Sequence, residues 1–115
     1  METISALRRL AGGLMLLSGV THVAQLAVYP AHAHVVTAAA FGLLYFSIGL
    51  YLMRPARAAL WCGALFPLIG GSLGIYRFVM LQPNPFSVLH VIIDIAVISI
   101  CVRLLLRREV SASPM

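Results

Sequence analysis

Charge is what this chain has least of. Its 115 residues include eight Lys or Arg and three acids, so charged residues make up 10% and hydrophobic ones 62%. A soluble domain of this size needs far more polar surface, which excludes an ordinary globular fold. Cysteine is scarcer still. Cys62 and Cys101 sit on separate apolar stretches, which leaves no disulfide framework and no Cys-pair metal carrier. Both read as small buried hydrophobes. No phosphate-binding loop, zinc-protease motif or nucleophile–base pair is present, so an enzyme acting alone is not expected.

What the chain does have is four long apolar runs, roughly Leu7–Val28, Val35–Met53, Ala58–Met80 and Phe86–Leu106. A hydrocarbon core of about 30 Å needs about 20 helical residues, and each run meets or nearly meets that. Continuous runs satisfy their backbone hydrogen bonds as helices, whereas barrel strands would alternate. The links between runs (30–34, 54–57 and 82–85) are short, which forces antiparallel neighbours. The expectation is an all-α membrane protein: one up-down four-helix transmembrane bundle occupying residues 1–115, with a short flexible tail over 109–115.

The arginines orient it. Arg8 and Arg9 precede the first run, Arg54 and Arg57 lie in the second link, and Arg103, Arg107 and Arg108 close the fourth run. The first and third links have no Lys or Arg. By the positive-inside rule both termini are cytoplasmic, and a bacterial inner membrane is the simplest host. The net charge of +5 is thus a topology signal and a contact for membrane lipid headgroups, not a nucleic-acid surface. Tyr51 and Trp61 fall near the inner interface, and Tyr29, Tyr76, Phe78 and Phe86 near the outer one. A competing outline is a signal peptide cleaved after Ala31-His32-Ala33, which would leave His34 as a copper-binding amino terminus. The first run, at about 20 residues and carrying His22 and Gln25, exceeds the usual ~7–15 and favours a retained span.

Glycines recur seven residues apart on three runs: Gly12 and Gly19, Gly42 and Gly49, Gly63 and Gly70, with Gly74 adding a small-xxx-small pair. Such residues let helix backbones approach closely in lipid, inside the bundle or at a seam between copies. Pro67 should kink the third helix or free a carbonyl near it.

The functional signal is where the intramembrane polar groups fall. His22 and Gln25 share a face of the first span, Arg77 lies near the outer end of the third, and His90 and Asp94 form an i, i+4 pair on the fourth. His32 and His34 sit in the outer link above them. Ionisable groups at such depth cost several kcal/mol (about 2.5–3.5 each on insertion scales) unless paired or hydrated, so they should face one another. Arg77 and Asp94 are the expected charge partners. His22 and His90, from the first and last spans at similar depth, are candidate axial ligands for haem. With His32, His34 or Asp94 they could hold copper, zinc or iron, Asp94 as ligand or as the acceptor that orients His90. A quinone site built from His90, Asp94 and Arg77 also fits but would need a redox partner.

Two other classes stay open. Four spans in so short a chain resemble the small multidrug-resistance transporters in length, but that family's first-span glutamate has no counterpart here: Glu2 and Glu109 lie outside the spans. A transporter would need oligomerisation and a polar path through the inner half, which carries only small residues, Ser and Cys. An accessory or anchor subunit, bound to a membrane partner or to its own copies, needs no catalytic group and fits the small size.

Overall fold

The computed structural model describes residues 2–112, and side chains over 3–107. Four helices follow in order: α1 (Glu2–Val28), α2 (Ala33–Leu52), α3 (Arg57–Tyr76), which continues into a wider π turn (Arg77–Leu81), and α4 (Pro85–Ala112). All four spans are long and apolar enough to cross a membrane. The chain is a small multi-pass membrane protein built as an up-down bundle, in which α1 and α4 close the ring. Of the tail expected over 109–115, α4 is described as far as Ala112, and residues 113–115 lie outside the described residues.

Proline and capping groups set the boundaries. α1 stops at Tyr29–Pro30, α2 stops short of Pro55, and Pro85 opens α4 at the first helical position, where its missing N–H costs nothing. Asn84 is the cap of α4: its Oδ1 accepts from the Ser87 N–H at 2.8 Å. At the opposite end Arg8 is only 8% exposed. Its Nε donates to Leu52 O at 3.0 Å, placing a cation on the carbonyl terminus of α2.

The two flanks of α2 are built differently. Against α1, a Cβ on Gly19 would stand 2.7 Å from Gly42 O, and one on Gly42 equally 2.7 Å from Gly19 O. Gly12 and Gly49 repeat the relation at 2.9 Å each way. The seven-residue spacing therefore brings two backbones together within one chain. The α3 glycines instead admit side chains. Gly63 faces the Cys101 thiol, Gly70 the Tyr45 hydroxyl and Gly71 the Asp94 carboxyl, whereas Gly74 meets only Val91, at 3.7 Å. Tyr45 donates to Phe66 O at 3.2 Å, one residue before Pro67, and α3 continues unbroken through that proline.

Buried apolar side chains, among them Met15, Tyr45, Leu52, Leu60, Val97, Cys101 and Leu104, fill the bundle from its middle to the end that carries the chain termini, called here the basic end. The polar side chains of the spans gather at the other, the histidine end. Large apolar residues such as Leu43, Leu68, Ile92 and Ile95 are exposed around the perimeter, as a lipid-facing surface requires.

Candidate functional site

α1 brings Ser18, Thr21, His22 and Gln25 to the bundle interior at successive turns of one face. The His22 Nδ1–H donates to Ser18 O at 2.7 Å, with Ser18 Oγ 3.2 Å away. Thr21 Oγ1 donates back to Leu17 O and Ser18 O and stands 2.7 Å from His90 Nε2. The hydrogen of the Thr21–His90 contact comes from Nε2–H or from the hydroxyl, according to the His90 tautomer. The His22 and His90 rings then lie face to face, centroids 3.6 Å apart and planes 9° from parallel. Tyr45 meets His22 edge-on at 5.2 Å, and Phe86 approaches His90 at 6.3 Å. A column of rings thus links α1, α2 and α4.

Arg77 opens the π turn, whose width is set by the Gln82 N–H reaching Arg77 O at 2.7 Å. Such wide turns recur where a helix must re-aim a side chain. The Arg77 side chain is 7% exposed and ties three helices. Its Nη1 donates to Gln25 Oε1 on α1, and its Nε to His34 Nδ1 on α2 at 3.0 Å. Its Cζ lies 5.9 Å from the Tyr29 ring, within cation–π range.

The expected Arg77–Asp94 charge pair is absent: Arg77 bonds Gln25 and His34 instead. The reason is depth. Asp94 packs against Gly71, six residues before Arg77 on the same helix, or about 9 Å nearer the bundle centre at 1.5 Å per residue. Asp94 is 3% exposed, and its Oδ1 has no hydrogen-bond partner among the described residues. Arg77 Nη2 and Gln25 Nε2 are likewise buried and unpartnered.

Arg77 and Asp94 line a cavity of about 210 Å³ among α2, α3 and α4. Thr37, Ala38 and Phe41 form one wall, Leu73, Tyr76 and Arg77 the other, and His22, His90 and Asp94 the floor. Leu73 and Tyr76 are 47% and 55% exposed on the lipid-facing surface, so the cavity stands beside an opening to the bilayer. His34 and Ser87 also line it. His32 does not: it is exposed and stacks on His34 with ring centroids 5.8 Å apart.

Several participants carry no signal in a polar-residue census. Ser18 and Thr21 were recoverable from helical spacing, since each lies four residues before His22 or Gln25. Phe41 and Tyr45 look like ordinary core, and the π turn has no sequence mark beyond the prolines that follow it. The histidine pair suits a haem poorly. Axial ligands aim their nitrogens at iron from opposite sides of a macrocycle, and rings stacked face to face leave no slot for one. Among the described residues no group of three or more His, Cys, Asp or Glu is arranged to hold a metal ion. Comparisons with protein-family models, with curated proteins and with solved structures found no match for this chain.

Proposed function

We propose that this protein is a small integral membrane binding protein that takes the polar part of a membrane-soluble molecule, laterally from the bilayer, into the cavity among α2, α3 and α4. The observation that carries the reading is a pair of opposed buried groups on one cavity wall and floor, Arg77 and Asp94, each with an unpartnered polar atom. Buried polar atoms cost about 1–3 kcal/mol when left unsatisfied, and a ligand bearing complementary oxygens removes that cost. The packed apolar core beneath the cavity argues against a pore through a single copy. At about 210 Å³ the cavity is smaller than the ~300–1,000 Å³ of drug-sized sites, which suits one ring or headgroup rather than a macrocycle.

The test is mass spectrometry of the solvent-extractable molecules held by protein purified in mild detergent, beside a Leu73→Trp variant that fills the cavity. One species enriched with the wild type and depleted with the variant is the expected result. Iron, copper and zinc are measured on the same untagged samples. A stoichiometric metal lost on combining His22→Ala with His90→Ala would replace this reading with a metal centre. No enriched molecule and no metal would leave an accessory-subunit role as the reading to pursue.

A further inference from the structure

Resting on that reading, we infer that the ligand is a lipid-soluble quinone or quinol, with its ring in the cavity and its isoprenoid tail in an adjoining apolar groove. The polar atoms define the head. Arg77 lines the cavity and brings a guanidinium to its wall near the histidine end. The Asp94 carboxyl, against Gly71, stands about 9 Å deeper along α3. A ligand satisfying both needs oxygens at opposite ends of a short body. One oxygen accepts from the guanidinium, and the other meets a carboxyl that accepts a hydrogen bond from a hydroxyl when ionised or donates one to a carbonyl when protonated.

Depth discriminates between headgroups. A phospholipid places its phosphate and ammonium at the interface, and carrying either to the level of Asp94 would put a second charge in the hydrocarbon region. A quinone ring is uncharged and resides there. The cavity surface suits a flat ring, since Phe41, Leu73, Tyr76 and Leu81 are among its lining residues.

The tail has its own place. A groove of about 230 Å³ runs between α3 and α4, lined by Ile75, Phe78, Val79, Val88 and Ile92. It shares Gly74, Ser87 and Val91 with the cavity. Gly74 is the one α3 glycine of Gly63, Gly70, Gly71 and Gly74 with no close neighbour: a Cβ there would meet nothing nearer than 3.7 Å. Gly74 lies on the border of both spaces, and there the apolar chain of the inferred ligand passes from the ring cavity into the groove. Lipid competes equally for apolar groove surface, so the tail adds shape selectivity and the ring supplies the recognition.

The experiment is photolabelling of the full chain in liposomes with an azidobenzoquinone carrying a decyl tail, and with its tail-less counterpart, mapped by mass spectrometry. Label is expected on residues 37–41 and 73–77, displaced by excess decylbenzoquinone and not by phosphatidylethanolamine. Gly74→Leu, which enters open space on the border of cavity and groove, should weaken labelling by the tailed probe about tenfold and by the tail-less probe much less. Asp94→Ala should weaken both. Displacement by phosphatidylethanolamine would overturn the quinone class while leaving a lateral amphiphile site in place. Label spread along the whole lipid-facing surface, with no effect of Gly74→Leu or Asp94→Ala in a variant of unchanged helical circular dichroism, would overturn both readings.

Discussion

One helix, α2, has two contrasting neighbours. Its α1 flank is closed by backbone meeting backbone at two glycine pairs, while its α3 flank is held by a few side chains and leaves about 210 Å³ open. Both flanks use glycine, for opposite purposes. On the first flank the missing side chain lets a carbonyl approach. On the second it admits the tip of a neighbouring side chain, the Tyr45 hydroxyl at Gly70. A closed seam fixes the fold, and an open one positions chemistry. In lipid, where apolar burial adds little between helices, that division of labour is a reasonable way for so small a chain to have both.

The largest expected effect comes from breaking the closed seam. Gly42→Leu forces side-chain atoms into the backbone of Gly19, where even a Cβ stands 2.7 Å from a carbonyl oxygen. It should abolish the folded bundle, read as loss of helical signal and of monodisperse protein on gel filtration. Gly42→Ala should cost about 1–3 kcal/mol, the usual range for overpacking, in denaturant titrations in mixed micelles. If Gly42→Ala unfolds like wild type, the backbone contact is looser than described and the contrast between the flanks collapses.

The next effect separates partners at the open seam. A double-mutant cycle over Arg77→Met and Gln25→Leu should give a coupling of about 0.6–1.7 kcal/mol, the range for interhelical hydrogen bonds in membranes. The same cycle over Arg77→Met and Asp94→Ala should give a coupling near zero. Strong coupling in the second cycle would restore the ion pair and remove the free carboxyl on which ligand recognition depends.

Much of this was readable from the amino-acid order. Four apolar runs and three short links give the bundle, and counting residues from the links places His22 and His90 at one depth on adjacent helices. Counting gives depth, however, and not rotation about a helix axis. Which way Arg77 points depends on the π turn that begins with it, and which way α2 points depends on Gly42 and Gly49 locking to α1. Both are tertiary outcomes that no local pattern records. Arg77 and Asp94 looked like partners because they are the only opposite charges within the outer half. The turn-and-a-half of α3 between Gly71 and Arg77 keeps them apart. Asn84 as the cap of α4 could have been read, since an Asn directly before a first-turn Pro is a familiar helix start.

A third effect, about 0.6 kcal/mol, is expected for Tyr45→Phe, which deletes the hydroxyl donated to Phe66 O across the open flank. The measurement is again micellar unfolding, and a loss of several kcal/mol would mean that this hydroxyl holds α2 to α3 far more firmly than a single bond.

The smallest effects should have the opposite sign. Gly13 has nothing within 4 Å of a built Cβ, and Gly74 has only Val91 at 3.7 Å. Alanine lowers the backbone entropy lost on forming a helix, so Gly13→Ala and Gly74→Ala should each stabilise the protein by up to about 0.5–1 kcal/mol. Gly13 is the control, because it lies outside both seams. Gly74 is the informative one, because it sits where cavity and groove meet. If Gly74→Ala stabilises the bundle as Gly13→Ala does, nothing in the fold requires glycine there. Weaker labelling by the tailed quinone probe in that same variant would then assign the open space at Gly74 to the ligand, and unchanged labelling would assign it to neither packing nor binding.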